Sequence, residues 1–253
     1  MGTLVVVEAE HATQADAHAA VEAAFQRIRD IEGRMHPHCS GSDLAKINNA
    51  AVGELVPVHA STLHLLQLAK RLHELTQGVF DPTLPKLPGR LSDLAIVDLP
   101  GASQVSCHAP LALDFGGFAK GFAVDEAIRA LMQAHCHAGL VNAGGDIRVF
   151  GERSDAVLMR GPDGTLREVA LDNAALAVTH TQSRNKPPEH QGYYIRPPRT
   201  AAATAPLPNL TFAAVIAPEA ALADALVKCV LLSAPSSAEQ ALREFGASTL
   251  QMS

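Results

Sequence analysis

Leu111-Ala-Leu-Asp-Phe-Gly-Gly-Phe-Ala-Lys-Gly-Phe-Ala-Val-Asp125 is the stretch on which this chain turns. An apolar, strand-like run ends on a carboxylate, bends at two glycines and enters an amphipathic helix with Lys120 in its first turn. Gly116 and Gly117 lack a Cβ, so the main chain can turn tightly there and come close to a ligand. The helix that follows offers unpaired N–H groups and a positive dipole end to anionic oxygens. Lys120 adds a point charge, and Asp114 can fix a hydroxyl, a ring N–H or a metal. An ordinary strand–turn–helix with a Gly-Gly corner accounts for this segment equally well when it is read alone.

The surroundings decide the fold class. Upstream, residues 3–9 alternate and are β-branched, which predicts a strand. Apolar residues then recur at helical spacing from Thr13 to about Arg34. Ser42 caps a short helix through Asn48, Val56-Pro-Val58 is an edge-strand candidate, and Ser61 caps a helix through Leu75 that Gly78 stops. Strand-like runs follow at 94–98 and 110–114, then the helix from Phe118 to about Gln133. Downstream comes a meander of short strands near 138–143, 146–150, 156–160, 166–171 and 174–179. Residues 181–208 are rich in Pro, Arg, Ala and Thr and read as a long loop. A strand at 211–216 and helices at 218–232 and 236–245 complete the chain. Helices mixed with a meander predict an α+β fold, with a sheet largely antiparallel, rather than a doubly wound parallel sheet.

Composition narrows the function. The hydrophobic fraction is 47% and the charged fraction 18%, which suits a globular protein with a full core. Aromatics are 4% with no Trp, so base- or sugar-stacking platforms do not dominate. A net charge of −6 with no basic block argues against nucleic acid as a partner. No run is long and apolar enough to span a bilayer. Met-Gly-Thr-Leu-Val-Val-Val reads as a first strand and not a signal peptide, so the chain as given is expected either to be cytoplasmic or to follow an omitted leader. Cys39, Cys107, Cys136 and Cys229 are scattered and read as free thiols.

Further segments carry chemistry. In Val141-Asn-Ala-Gly-Gly-Asp-Ile-Arg148, Asn142 and Asp146 flank a second diglycine turn between strands, either a plain hairpin corner or one wall of a ligand site. Gly78-Val-Phe-Asp-Pro-Thr83 follows a helix; Phe80 offers an apolar wall and Pro82 holds Asp81 extended, though a plain helix stop fits as well. Asp224 and Lys228 share a face of an apolar helix, so this carboxylate is either paired in the interior or points into a cleft. His36-Pro-His38-Cys39 and His135-Cys-His137 lack zinc spacing, and no G-x-S-x-G elbow is present.

Taken together these segments resemble the ApbE family, the FAD:protein FMN transferases. Met1-Gly-Thr3 is similar to the family's opening, Gly41-Ser-Asp-Leu-Ala-Lys-Ile-Asn48 to its D-S-x-L-x-x-x-N helix, and Gly78-Val-Phe-Asp-Pro82 to its G-x-F-D-P. Asp114 to Gly121 matches D-x-G-G-x-A-K-G, Asn142 to Asp146 the G-G-D turn, and Ala223-Asp-Ala-Leu226 the A-D-A-L helix. Each motif alone is weak; six in order along nearly the whole chain are specific. The resemblance implies an ApbE/T-fold-like single domain over residues 1–253. It implies an enzyme that binds FAD with Mg²⁺ and moves the FMN half onto a Ser or Thr hydroxyl of an acceptor flavoprotein, releasing AMP. Met1, His38, Val79, Phe80, Asp81, Asp114, Lys120 and Ile195 would line the FAD site, and the Gly117 carbonyl and Asp224 would hold the metal. The residue chemistry agrees, because attack on a pyrophosphate calls for charge neutralisation more than for a protein nucleophile.

Two departures stand out. Where the family usually has Thr four residues after the metal-binding Asp, this chain has Lys228, whose ammonium can partly replace the divalent charge or occupy its place. The family's H-x-x-D-P-R-T-G loop is represented by Tyr194-Ile-Arg-Pro-Pro-Arg-Thr200-Ala201, without its His and Asp. Tyr194, with nearby His190 the alternative to it, and Lys228 are therefore the candidate catalytic residues, although a phenol with a pKa near ~10 is a poor base at neutral pH. The alternatives are an FAD-binding protein that has lost transfer and an FAD pyrophosphatase that uses water as the acceptor.

Overall fold

The computed structural model describes residues 2–84, 86–99, 102–152, 154–180 and 211–250. The order is β1 (Val5–Glu10), α1 (Gln14–Met35), α2 (Asp43–Asn49), β2 (Val56–Pro57), α3 (Ala60–Leu75), a 3-10 turn (Leu91–Asp93), β3 (Leu94–Leu99) and β4 (Ala102–Cys107). Then follow α4 (Ala119–Gln133), β5 (Ala138–Ala143), β6 (Asp146–Gly151), β7 (Asp155–Arg160), β8 (Leu166–Leu171), β9 (Ala175–His180), β10 (Phe212–Ala217), α5 (Ala220–Leu232), α6 (Pro235–Glu244) and β11 (Ser248–Thr249). This is the α+β class that the sequence predicts. A six-stranded sheet runs β1-β5-β6-β9-β10-β11, beside a three-stranded sheet β2-β4-β3 and the hairpin β7-β8. Every described pairing between these strands is antiparallel.

Strand alternation sorts the two faces of the large sheet. Val141 and Ala143 on β5, Ala175 and Ala177 on β9, and Ala213, Val215 and Ala217 on β10 join the main core with the helices. Ile147 and Val149 on β6, Leu176 on β9 and Ala214 on β10 face the other way, where Val157, Met159 and Leu171 of the β7-β8 hairpin cover them. The consequence for β6 is direct. Its even positions, Asp146 and Arg148, point toward the helical layer.

Helix ends follow local chemistry with one correction. Thr13 caps α1 by accepting from Asp16 N–H (3.1 Å), and Ser42 caps α2 by accepting from Ala45 N–H (3.0 Å). At α3 the cap is His59, whose Nδ1 accepts from Ser61 N–H (3.1 Å), and not Ser61 itself. Buried Asp43 sets this start by accepting from His59 N–H (2.8 Å) and Thr62 Oγ1 (2.7 Å). Gly78 closes α3 with φ +83°, its N–H donating to His73 O at 2.7 Å.

The expected strand at 110–114 is reduced to a single bridge, Thr83 to Leu113. Asn48 explains why: its side chain takes both main-chain groups of Leu113, accepting from N–H at 2.7 Å and donating to C=O at 2.9 Å. β4 and β11 are strands that the sequence pattern does not announce. No described helix is long and apolar enough to cross a membrane.

Candidate functional site

The motifs meet at two neighbouring knots. The first is at Leu113. There α2 contributes Asn48, and the Gly78–Thr83 segment runs alongside through Asp114 N–H to Pro82 O (2.9 Å) and Leu84 N–H to Ala112 O (2.7 Å). Asp81 and Asp114 thus sit on adjoining segments at the mouth of the diglycine turn. Asp114 Oδ1 accepts from Gly116 N–H at 2.7 Å and so shapes the turn. Asp81 Oδ1 accepts from Thr83 N–H (3.0 Å) and Thr83 Oγ1 (2.7 Å). Among the described residues its Oδ2 is buried without a hydrogen-bond partner, while His73 Nδ1 stands 3.9 Å away and Arg90 Nη1 4.0 Å. A buried carboxylate oxygen left in this state is an acceptor waiting for a donor.

The second knot is at Lys120, in the first turn of α4. Its ammonium bonds Asp146 Oδ2 and lies 3.6 Å from Asp224 Oδ2. Asp224 sits on α5, almost every residue of which is buried, and is itself fully buried. Its Oδ1 accepts from Lys228 Nζ and its Oδ2 from Gly121 N–H at 3.3 Å. Two carboxylates and two ammonium groups thereby form one chain, Lys228–Asp224–Lys120–Asp146. Burial and the nearby Asp224 charge push the Asp146 carboxyl up to about 6, against the pull of Lys120 and Lys228. Burial also disfavours the Asp224 charge, but Lys228 and Lys120 win and hold that carboxyl below its ordinary value.

A second buried ion pair fixes how α4 and α5 cross. Asp125, one turn beyond Gly121, accepts from Arg148 Nη1 (2.6 Å) and from the N–H groups of Ala220 (2.9 Å) and Ala221 (2.8 Å). A side chain of α4 thus caps the N-terminus of α5 from outside. Gly121 lets the helices touch: a Cβ there would lie 2.2 Å from Ala220 O.

The two diglycine turns differ. Gly144 and Gly145 have φ +64° and +101° and close a two-residue β5-β6 loop, with Ala143 paired to Asp146. Thr3 lies against Gly144, where a Cβ would come within 2.3 Å of Thr3 Oγ1, so the N-terminal motif joins the site too. At Gly117 neither reason applies. Its φ lies outside the left-handed range and a Cβ there would meet nothing within 4 Å. Among the described residues nothing requires glycine at 117.

Lys120 and Asp224 are thus brought together as the sequence predicts, with Lys228 attached and Asp81 and Asp114 at the adjoining knot. Phe80 is in the core, its ring edge-on to Phe118 at 5.6 Å, and Val79 is half-buried beside it. His38 is exposed on the turn between α1 and α2, edge-on to His36. Met1, Tyr194, Ile195 and His190 lie outside the described residues. Asp146, which the sequence puts at a turn that is either a plain hairpin corner or one wall of a ligand site, bonds Lys120 and so stands with the site. Its signal is the alternation Asp-Ile-Arg-Val after a two-glycine turn, which sends Asp146 and Arg148 to the face opposite the apolar pair.

The expected Mg²⁺ ligands do not fit that ion as folded. Both Asp224 oxygens already have hydrogen-bond donors, and Asp146 is held by Lys120. A hard cation at roughly 2.0–2.1 Å from Asp224 would have to displace an ammonium or sit against it. No group of three or more His, Cys, Asp and Glu among the described residues is arranged to hold a metal.

Comparison with known proteins gives one consistent result. The ApbE family model matches residues 1–250. An FAD:protein FMN transferase of Rhodobacter capsulatus is 26% identical over 176 residues, 60% of this chain and 34% of that protein. One from Treponema pallidum is 30% identical over 197 residues, 62% of this chain and 54% of that protein. The matches therefore span about a third and about half of the lengths of these curated relatives. Among solved structures, the apo flavinyl transferase ApbE of Pseudomonas stutzeri superposes with a TM-score of 0.74 at 18% identity, over 100% of this chain and 89% of that one. At that identity the likeness speaks for the fold.

Proposed function

The chain belongs to the ApbE family, and from that premise we propose that it is an FAD:protein FMN transferase acting on a Ser or Thr hydroxyl of an acceptor flavoprotein. The observation that carries this reading is the convergence of six separated motifs on the Leu113 and Lys120 knots. A strand–turn–helix with an idle Gly-Gly corner would not gather Asn48, Asp81, Asp146 and Asp224 around one turn.

In the proposed reaction the acceptor hydroxyl oxygen bonds to the phosphorus of the FMN half. The bond from that phosphorus to the oxygen of the AMP phosphate breaks, and AMP leaves with the electron pair. The hydroxyl proton is released to solvent, and Tyr194 is the proposed relay for it. Because the second pKa of a phosphate monoester is near ~6, AMP departs at neutral pH without being protonated. The protein's task is to hold the diphosphate and balance its charge, and Lys120 and Lys228 are the cations proposed for it. The free Asp81 Oδ2 and Asp114 are proposed to bind donors of the flavin or adenine. Met1, His38, Val79, Phe80 and Ile195 are proposed to complete the FAD site. Mg²⁺ held by Asp224 and the Gly117 carbonyl, as the resemblance implies, would require Lys228 to leave Asp224 first.

The test is incubation of the protein with FAD and an acceptor flavoprotein domain, followed by intact-mass measurement of the acceptor and chromatography of nucleotides. Covalent gain of one FMN on the acceptor, with AMP released in equal amount, is the expected result. FAD retention without AMP would instead favour a binding protein, and AMP release without acceptor a pyrophosphatase.

A further inference from the structure

We infer that Lys228, paired with Lys120, is a built-in replacement for a divalent cation, so that the protein binds the FAD diphosphate without Mg²⁺. This rests on the FAD-binding reading above and goes beyond it by naming what neutralises the phosphates.

The argument starts from charge and burial. Asp224 is completely buried on an apolar helix, and an uncompensated carboxylate there is strongly unfavourable. A protein that relied on a bound ion would leave such a carboxylate short of positive charge until the ion arrived. Here the partner is covalently supplied: Lys228 lies one turn along α5 from Asp224, on the same face, and its ammonium bonds Asp224 Oδ1. Lys120 approaches the other oxygen and also bonds Asp146. Among the described residues two carboxylates and two ammonium groups meet here, so their charges offset one another before any ligand enters.

Adding Mg²⁺ to this arrangement is unfavourable in two ways. The ion would have to compete for oxygens that already accept charge-assisted hydrogen bonds, and it would face two like charges in a buried setting. An ammonium can do part of the same work, since it presents three N–H donors and can bridge a carboxylate and a phosphate oxygen together. Lys228 is nearly buried, so its attraction for a phosphate is little screened by water. The diphosphate of FAD is the class of anion that such a pair suits, because its two phosphates can each take one ammonium. No described residue lies within 4 Å of where a Gly117 Cβ would stand, which leaves the main chain open at the entrance to α4.

The experiment is calorimetric titration of FAD into nucleotide-stripped protein, once in EDTA and once in MgCl₂. It is run on the wild type, Lys228→Thr and Lys228→Arg, with Mg²⁺ alone titrated into each apo protein. Wild type should bind FAD with Kd values that agree within about twofold in the two buffers, and should show no heat with Mg²⁺ alone. Lys228→Thr should lose roughly 10–100-fold in EDTA, the worth of a charged hydrogen bond, and recover most of it in MgCl₂. Lys228→Arg should remain indifferent to metal. A wild type that weakens about tenfold or more in EDTA overturns the inference while leaving FAD binding in place. So does a Lys228→Thr protein that binds as tightly as wild type without metal, since Lys228 would then only balance Asp224. If Lys228→Thr does not fold, the wild-type arms decide alone. No FAD binding by wild type in either buffer overturns the functional reading and this inference together.

Discussion

Gly117 and Gly121 lie four residues apart in one motif, yet the structure assigns them different duties, and alanine at each separates the two. At Gly121 an added Cβ would stand 2.2 Å from Ala220 O and 2.5 Å from Ala220 C, against an ordinary contact beginning at 3.4 Å. The obstacle is helix backbone, so α5 must back away from α4 by roughly 1 Å. Overpacking of this kind costs about 1–3 kcal/mol, and the better helix propensity of alanine returns less than ~1 kcal/mol this close to a helix start. The net loss expected for Gly121→Ala is about 2 kcal/mol, or roughly 4–8 °C in melting temperature for a chain of this size. The same displacement stretches the bond from Gly121 N–H to Asp224, already 3.3 Å, and misaligns the lysine–carboxylate chain. Misplacement by ~1 Å at a reacting centre can cost on the order of 100-fold in rate.

Gly117→Ala is the control. Its Cβ meets nothing within 4 Å and its backbone is not left-handed, so stability should change by no more than about 0.5 kcal/mol. If the diphosphate approaches the main chain at this turn, however, the methyl group intrudes and FAD affinity should fall by roughly tenfold or more, about 1.4 kcal/mol. Thermal melts and FAD titration of both variants read the outcome. A Gly117→Ala protein that melts and binds FAD as wild type does would refute the placement of the ligand at this turn. A Gly121→Ala protein as stable as wild type would refute the tight α4–α5 crossing.

Two more outcomes follow from the buried charges. Asp125→Ala should cost about 3–5 kcal/mol in urea unfolding, because it strands Arg148 and uncaps α5; adding Arg148→Met should recover part of the loss, and additive losses would contradict the pairing. Asp146 has a folded-state pKa raised to about 6 from an ordinary 3.8, so its contribution to stability is fully present below that ordinary value and is lost as pH rises through about 6. Asp146→Asn should therefore gain stability relative to wild type between pH 4.5 and 7.5, by an amount on the order of 2–3 kcal/mol; a difference that does not vary with pH would count against the raised pKa.

Much of the fold was legible because its elements are locally consistent. The long apolar periodicity of α1, the cap at Ser42 and the evenly spaced meander from β5 to β9 each state their structure within a short window. Misreadings arose where a distant residue settles the matter. The run at 110–114 has strand composition, but Asn48, 65 residues earlier, takes the hydrogen-bonding groups of Leu113 that a ladder would use. β4 reads Ala-Ser-Gln-Val-Ser-Cys, too polar and small to announce itself, and becomes a strand because β3 lies opposite along its whole length. His59 takes the cap from Ser61 because Asp43, on another helix, fixes the main chain two residues early.

The site was legible as residue types and only partly as geometry. Spacing alone places Lys228 on the face of Asp224, and it leaves open whether that carboxylate is paired or points into a cleft. The structure decides for pairing in the interior. Asp224 is paired, and its partners are the cations that border the diglycine turn. Asp146 enters because a two-residue turn fixes the parity of β6; one residue more in that loop would send Asp146 and Arg148 to the β7-β8 side and Ile147 toward Lys120. The charge chain therefore depends on Gly144-Gly145 as much as on the lysines. A side chain at Gly144 would strain a left-handed backbone and strike Thr3, and in disturbing the turn it would move Asp146 before it touched any ligand. Charge at this site is set by strand parity and helix pitch, two properties written in the order of residues rather than in their kinds.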